Sequence, residues 1–246
     1  MSDFAAMTPE EQDSALTELA CAAAEQWGFG PETGIELFKH RENVVFSVVA
    51  GDERFAMRVH RPGYHSDAEL ESELAWIAAL REDGFPTPAV VPTADGRSMA
   101  RVAVPAVPGE RQVDLLEWFD GEPVGEAETE ALTDPADAVA TFRTIGELTA
   151  TAHNQAESWQ RPPSFTRHAW DADGLLGTEP FWGPYWELEV LTDDQRSLLQ
   201  RMKSQALVDL ADFGRGPDRY GLIHADLVPD NLLRGDDGLC VIDFDD

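Results

Sequence analysis

Hydrophobic and polar positions alternate with different periods along the N-terminal half of the chain. Leucines and alanines recur every three or four residues over 9–27 and 67–81, which predicts two amphipathic helices. Thr8 can cap the first helix, and Ser66 opens the second. β-branched and aromatic residues in alternation predict the strands of this half, with Gly51-Asp52 as a turn. These strands cover 35–49, 54–60, 99–104 and 112–119.

The C-terminal half is richer in helix formers. The spacing of apolar residues predicts helices over 134–157 and 192–212, and it places Val139 and Phe142 on the buried side of the first. Between them, residues 162–184 are rich in aromatic and turn-forming residues. This segment suits the wall of a substrate site or a partner surface, but it suits a loop that only stabilises the fold equally well.

The last part of the chain combines a predicted β-hairpin with a set of polar residues. Short apolar runs flank a Gly-Asp-Asp-Gly turn at 235–238, which is a strong hairpin signal. Such a hairpin can bring Asp226, Asn231 and Asp243 together. Carboxylate and amide oxygens are the ligands that Mg²⁺ prefers, and phosphoryl transfer also needs a carboxylate that orients the attacking hydroxyl. Each aspartate taken alone also fits a solvated or capping residue.

The order of these residues matches a known pattern. His224-Ala225-Asp226 followed by Asn231, and then Val241-Ile242-Asp243-Phe244, resembles the catalytic core of the aminoglycoside phosphotransferase and choline kinase-like enzymes, which share the protein-kinase-like fold. The resemblance implies that Asp226 is the catalytic residue. It also implies that Asn231 and Asp243 hold Mg²⁺, with ATP as the phosphoryl donor.

The same resemblance implies the fold and its divisions. We expect a two-lobed α+β protein with a small antiparallel sheet in an N-terminal lobe (1–116), a hinge (117–122) and a mainly helical C-terminal lobe (123–246). Related enzymes continue with several helices beyond the residue that matches Asp243. We therefore expect the C-terminal lobe to be truncated.

The resemblance also indicates residues that bind the nucleotide. The polar turn 40–43, with Asn43, stands where protein kinases have a glycine-rich loop, although this chain has no Gly-x-Gly-x-x-Gly there. Arg58 stands where most of these enzymes have a lysine that reaches the α and β phosphates, and an ordinary strand arginine is the alternative. Glu73 is the predicted ion-pair partner of Arg58, with Glu69 and Glu71 as rivals.

Two further segments complete these predictions. Backbone groups of Glu117, Trp118 and Phe119 are expected to face the adenine, since this segment resembles the hinge between the lobes. Asp212-Phe213-Gly214 has the letters of the kinase metal motif, but it precedes the His-x-Asp loop and ends a predicted helix. Chain order therefore assigns the metal-binding role to Asp243 instead.

Composition restricts the partners and the location. The chain has 18 Lys and Arg against 47 Asp and Glu, a formal net charge of -29, which disfavours nucleic acid and anionic membranes as partners. No apolar run is long enough to span a bilayer, and the start lacks a secretory signal, so we expect a cytoplasmic protein. Cys21 and Cys240 are expected to be buried. The sequence leaves the oligomeric state open.

Together these features predict an ATP-dependent phosphotransferase. We expect it to act on a hydroxyl of a small molecule such as a sugar, an amino alcohol, a homoserine-like compound or an aminoglycoside. The alternatives are a protein serine or threonine kinase of the same fold and a non-catalytic module that binds a nucleotide or a partner.

Overall fold

The computed structural model of the chain describes residues 4–125, 135–236 and 238–245, with 135–137 described as backbone only. The elements and their bounds follow in chain order. They are α1 (Pro9–Ala24), β1 (Gly34–His40), β2 (Val44–Ala50), β3 (Glu53–Val59), α2 (Asp67–Glu82), β4 (Met99–Val102), β5 (Arg111–Glu117), β6 (Glu122–Pro123), α3 (Pro135–Ser158), α4 (Ala172–Leu176), α5 (Asp193–Phe213), β7 (Leu232–Gly235) and β8 (Gly238–Val241).

The N-terminal lobe is built on a five-stranded antiparallel sheet in the order β1-β2-β3-β5-β4. Side chains alternate between its two faces, as they must in a pleated strand. Leu115 of β5 and Met57 of β3 face α1 and pack with Leu19, all three fully buried. Leu116 faces the other side and packs against Leu70 of α2. The sheet is therefore covered by one helix on each face.

A capping box fixes where α2 begins. The Ser66 hydroxyl accepts the amide hydrogen of Glu69, and the Glu69 carboxylate accepts the amide hydrogen of Ser66. Such a cap stabilises a helix by about 1 kcal/mol. One turn beyond Glu69, the cap places Glu73 on the face that packs against the sheet, where it is only 1% exposed.

The C-terminal lobe contains a second sheet, in the order β6-β7-β8, and the helices α3, α4 and α5. Leu232 of β7, Val241 of β8 and Phe244 pack there with Ala152 of α3. Trp76 of α2 belongs to this same core and contacts Phe244 edge to face at 5.4 Å. Helix α2 thus packs into the cores of both lobes.

Most predicted elements are present, and several details differ. The strand predicted over 35–49 divides into β1 and β2 at the turn that contains Asn43. Asp212-Phe213-Gly214 closes α5, with Gly214 at a φ of 78°. Cys21 is exposed, so its predicted burial is wrong, whereas Cys240 is buried.

The buried side predicted for the long helix of the C-terminal lobe is wrong in its first half. Val139 and Phe142 are each 62% exposed, and α3 contacts the core through Ala152 and Ala156 farther along. Among the described residues, no helix has both the length and the apolar character that crossing a membrane would require.

The two sheets separate where the hinge was predicted. The first sheet ends at Glu117 of β5, and the second begins at Glu122 of β6, which pairs with Arg234. The division of the chain into 1–116, 117–122 and 123–246 stays a prediction.

Candidate active site

The C-terminal hairpin brings the three predicted catalytic-site residues to one place. Leu232 pairs with Val241, and immediately beyond this pair the Ile242 amide donates to the Asn231 carbonyl at 3.0 Å. Asn231 and Asp243 therefore lie at the same end of the hairpin. The Asn231 side chain donates from Nδ2 to the Asp226 carbonyl and to Asp226 Oδ2, both at 2.9 Å.

These hydrogen bonds determine which atoms of the site remain available. Because Asn231 Nδ2 is held by Asp226, its Oδ1 points elsewhere and accepts no hydrogen bond from a described residue. Asp226 Oδ1 likewise accepts no hydrogen bond from a described residue. Burial raises the pKa of the Asp226 carboxyl, while the hydrogen bond from Asn231 opposes this effect. The site thus presents one amide oxygen and one carboxylate oxygen on neighbouring side chains.

Two residues of this region hold an uncommon backbone conformation. Ala225 has a φ of 69° and Asp243 a φ of 66°, and among the described residues they are the non-glycine residues with positive φ. This left-handed conformation costs roughly 1–2 kcal/mol for a residue with a Cβ. Backbone strain therefore occurs at both predicted polar segments of the site, directly beside or at Asp226 and Asp243.

His224 connects the two strained segments. Its Nε2 lies 3.0 Å from the Ile242 carbonyl, which can only accept, so Nε2 carries the proton. The ring is 7% exposed and packs against Phe244, with 4.5 Å between ring centroids. Burial lowers the pKa of His224 to about 4, so the ring is neutral at neutral pH. A neutral histidine thus ties the His-x-Asp loop to the strand that leads to Asp243.

Asp243 lies beside a second carboxylate, Asp245. Burial raises the pKa of Asp243, and the negative charge of Asp245 raises it further. Asp245 stays ionised, because Arg58 nearby and a 2.9 Å hydrogen bond from Asn43 Nδ2 hold its pKa low. Two carboxylates this close share either a proton or a cation. Together with Asn231 Oδ1, they form an oxygen-rich set that fits a hard divalent cation such as Mg²⁺.

A buried ion cluster lies between the first sheet and α2. Arg58 donates from Nε and NH2 to the two oxygens of Asp114 at 2.8 and 2.7 Å, and from NH1 to Glu73 Oε1 at 2.8 Å. His60 Nε2 lies 2.7 Å from Asp114 Oδ2. All four residues are buried. The predicted ion pair of Arg58 with Glu73 is present, whereas Glu69 caps α2 and Glu71 is exposed.

The charges in this cluster are shared unequally. Burial alone would raise the pKa of Asp114, but Arg58 and His60 hold it well below its usual range. Burial raises the pKa of Glu73 more than the positive charge of Arg58 lowers it. Burial alone would lower the pKa of Arg58, but Asp114 and Glu73 raise it. Asp114 is therefore the principal counter-ion of Arg58.

Asp114 and His60 were missed from the sequence. The available signal was an aspartate inside the apolar run Val113-Asp114-Leu115-Leu116, at a position that a sheet buries. The strand register explains this ion pair, because Arg58 of β3 and Asp114 of β5 lie directly opposite each other. Arg58 NH1 also lies 3.9 Å from Asp243 Oδ1, so the cluster adjoins the catalytic site.

The turn between β1 and β2 contacts the site from the N-terminal lobe. Asn43 binds Asp245 through Nδ2, and its Oδ1 accepts the Arg61 amide hydrogen at 3.3 Å. Arg41 NH1 lies 3.1 Å from Asp230 Oδ2. The turn is therefore fixed to the catalytic segment by side chains, and its contact with the nucleotide stays a prediction.

Two amides of the predicted hinge segment form hydrogen bonds within the fold. The Glu117 amide donates to the Ala89 carbonyl at 2.8 Å and the Trp118 amide to the Arg54 carbonyl at 3.1 Å. The Phe119 amide donates to no described residue. Trp118 packs edge to face against Phe38 at 4.9 Å, so an aromatic pair lines this edge of the N-terminal lobe. The contact of these backbone groups with the adenine stays a prediction.

Comparisons with known proteins identify the family and the fold of the chain. The profile of the phosphotransferase enzyme family matches residues 34–246. The solved structure of a microcompartment-associated aminopropanol kinase is 34% identical, with a TM-score of 0.77, and the match covers 97% of this chain and 70% of that one. An amicoumacin kinase solved with AMP-PNP, Ca²⁺ and Ami is 22% identical, with a TM-score of 0.70 over 97% of this chain and 67% of that one.

A curated relative matches most of the chain. Amicoumacin kinase of Bacillus subtilis (strain 168) is 23% identical over 235 residues, which are 93% of this chain and 62% of that protein. The chain thus spans less than two thirds of the length of this relative. These similarities confirm the predicted two-lobed, protein-kinase-like α+β fold. With the family profile covering residues 34–246, the chain belongs to the phosphotransferase enzyme family.

Proposed function

We propose that this protein transfers the γ-phosphoryl group of ATP to a hydroxyl group of a small molecule, with Mg²⁺. The observation that carries the proposal is the hydrogen-bonded pair Asp226 and Asn231, with Asp243 following Ile242, whose amide donates to the Asn231 carbonyl at the same end of the hairpin. Asn231 and Asp243 would hold Mg²⁺, which would supply positive charge to neutralise the charge that develops during transfer. The family of the chain supports the reaction class.

Asp226 is the residue that orients the acceptor. Its free Oδ1 accepts the hydrogen of the incoming hydroxyl, while Asn231 Nδ2 holds Oδ2 in place. Asn231 Oδ1 and the carboxylate of Asp243 would hold the metal ion. Because Asn231 also holds Asp226 Oδ2, one side chain would connect the base to the metal site.

Arg58 stabilises the site mainly through the cluster. Three of its five N–H groups bind Asp114 and Glu73, and the side chain is 7% exposed. Two N–H groups remain, and the one on Nη1, which lies 3.9 Å from Asp243 Oδ1, is available to a phosphate oxygen. In this proposal Arg58 contributes a fixed positive charge, and Glu73 is its positioning residue. Asn43 and the segment Glu117 to Phe119 contact the nucleotide.

The acceptor is an alcohol that carries an amine. Asp226 lies in a negative field. Besides burial, the negative charges of Asp245, Asp230 and Glu42 raise its pKa. The chain as a whole has a formal net charge of -29. A cationic acceptor is attracted by this field, whereas nucleic acid is repelled. The aminopropanol kinase is named for an amino alcohol, and other similar structures are aminoglycoside phosphotransferases, which supports an amino alcohol or an aminoglycoside-like acceptor.

We place this activity in the cytoplasm, where ATP and Mg²⁺ are both present. Cys21 and Cys240 are free rather than joined in a disulfide, as is usual in a reducing compartment.

The test is an acceptor panel with ATP labelled at the γ-phosphate. The panel contains 1-amino-2-propanol, amicoumacin, several aminoglycosides, choline, homoserine and simple sugars. We expect Mg²⁺-dependent transfer to an amine-bearing alcohol. Asp226→Asn should lower turnover by about 10²–10⁴-fold, the usual contribution of a general base, while AMP-PNP binds within about threefold of wild type.

The matched control is Asp236→Asn, an exposed aspartate at the tip of the same hairpin. This variant should keep wild-type turnover. Transfer that persists in Asp226→Asn would contradict the role given to Asp226. Tight AMP-PNP binding by the wild type without transfer to any acceptor would indicate a nucleotide-binding module instead.

A further inference from the structure

A cluster of metal-ligand side chains lies outside the catalytic site. His65, Glu69 and His168 each offer one ligand atom, and these atoms all lie within 4.8 Å of one another. His65 and Glu69 come from the start of α2, and His168 comes from the loop that follows α3, about a hundred residues later. The two imidazole rings are nearly parallel, 16° apart, with 5.7 Å between centroids.

Two polar atoms of this cluster, on His65 and Glu69, have no hydrogen-bond partner among the described residues. Nε2 of His65 is buried and has no hydrogen-bond partner among the described residues. Glu69 accepts the Ser66 amide and hydroxyl hydrogens through Oε2, at 2.8 Å each, which leaves Oε1 available. A buried ring nitrogen without a partner is costly, and a bound cation would remove that cost.

From this geometry we propose that His65, Glu69 and His168 bind a divalent transition-metal ion, with Zn²⁺ as the preferred ion. Two imidazoles and one carboxylate are a known zinc ligand set, which leaves a fourth position for water. Zinc–ligand bonds of about 2.1 Å place tetrahedral ligands about 3.4 Å apart, so binding draws the three atoms together by about 1.4 Å or less. Mg²⁺ prefers oxygen ligands and is not expected here.

The charges around the cluster are mixed. Glu69 and Asp245 are negative and lie close enough to affect the pKa of both rings, whereas Arg167 is positive and opposes them. The guanidinium of Arg167 donates to the Phe244 carbonyl. Burial lowers the pKa of both histidines, which favours the neutral rings that a metal binds.

The position of the site gives the ion a structural role. His168 lies beside Thr166, whose amide donates to Ser72 of α2 at 2.9 Å, and beside Arg167, which contacts the segment after β8. Glu69 is one helical turn before Glu73, the residue that holds Arg58. A bound Zn²⁺ fixes the start of α2 to the loop that contains His168. This role does not depend on phosphoryl transfer, so the proposal stands apart from the proposed function.

The test is metal binding by the metal-free 246-residue protein, in a Cys21→Ser background that removes the exposed thiol. We expect one Zn²⁺ per chain by calorimetry in the presence of excess Mg²⁺, and a visible absorption band when Co²⁺ replaces Zn²⁺. At 100 times the dissociation constant, Zn²⁺ should raise the melting temperature by about 5 °C or more. Hydrogen exchange should slow over residues 65–69 and 165–168.

The variants separate this site from others. Glu69→Gln keeps the helix cap, since glutamine also serves in a capping box, but removes the ligand charge, so Zn²⁺ affinity should fall by about 10-fold or more. His65→Gln combined with His168→Gln should abolish stoichiometric binding. His153→Gln, at an exposed histidine, should leave it unchanged.

Two results would overturn the proposal. One is a wild-type protein that binds no Zn²⁺ at micromolar concentration. The other is binding that survives the double histidine variant and disappears in Asp243→Asn, which would place the ion at the catalytic site.

Discussion

Replacing Arg58 with lysine should destabilise this protein. The guanidinium makes three hydrogen bonds of 2.7–2.8 Å to Asp114 and Glu73, all inside the fold. An ammonium keeps the charge, but its single nitrogen cannot span both oxygens of Asp114 and also reach Glu73. Arg58→Lys therefore leaves one or two charged partners without a hydrogen bond.

The expected loss follows from these contacts. A hydrogen bond to a charged group contributes about 1.5–3 kcal/mol, so losing one or two of them lowers the free energy of unfolding by about 3 kcal/mol. For a chain of this size that loss corresponds to a melting temperature about 6–12 °C lower. Urea denaturation followed by circular dichroism measures it directly, and the m value should stay unchanged.

Arg101→Lys is the matched control. Arg101 also binds an aspartate with two hydrogen bonds, both 2.7 Å to Asp67, but its side chain is 47% exposed. Water can replace what this variant loses, so we expect a cost below about 1 kcal/mol. A free energy of unfolding of Arg58→Lys within 1 kcal/mol of wild type, or an equal loss in both variants, would contradict this role of the buried cluster. An unchanged stability with a higher KM for ATP would instead assign Arg58 mainly to the nucleotide.

Three further predictions concern the catalytic segment. Ala225→Gly should relieve the strain of the positive φ and raise the free energy of unfolding, measured by urea denaturation, by about 0.5–1 kcal/mol. Ala78→Gly, in the exposed middle of α2, should lower it by about 1 kcal/mol, and a loss of stability in both variants would contradict the presence of strain at Ala225. Burial lowers the pKa of His224 to about 4 from 6.5, so the contribution of the neutral ring to the free energy of unfolding is complete above pH 6.5 and falls by about 3 kcal/mol as the pH drops to 4. His224→Gln should therefore flatten the dependence of stability on pH in this range, and an unchanged slope would exclude His224 as its source. Asn231→Ala should raise the Mg²⁺ concentration needed for half-maximal transfer by about tenfold and leave AMP-PNP binding without Mg²⁺ unchanged; an unaltered Mg²⁺ dependence would remove Asn231 from the metal site.

The sequence was most informative where local patterns determine local structure. Thr8 and Ser66 each cap a helix, and each does so in a capping box with the residue three positions later. Gly235 pairs with Gly238 in the hairpin, and this register brings Asn231 and Asp243 to the same end. These features depend on short stretches of chain, so their residues could be assigned before the fold was known.

Pairings between distant strands were less accessible. The contact of Arg58 with Asp114 requires β3 and β5 to be neighbours in register, although the two residues are 56 positions apart in the chain. The sequence offered Glu73 as a partner because helical spacing is visible locally. The sequence could not indicate Asp114, because no local pattern shows which strand pairs with β3. The exposure of Cys21 was missed for a related reason, because the buried face of α1 depends on how the sheet packs against it.

Helix α2 contacts both lobes, and its sequence periodicity alone does not reveal this. Its periodicity predicts only an amphipathic helix, yet Leu70 packs under the first sheet, Trp76 packs in the core of the C-terminal lobe, and Glu73 is buried between the two. A buried carboxylate is tolerated only while a cation pairs with it. A rotation of α2 by one residue, about 100°, would remove Glu73 from Arg58 and expose Leu70 at the same time. The buried charge and the apolar contacts therefore select the same helix position, and that position also determines how Arg58 faces Asp243.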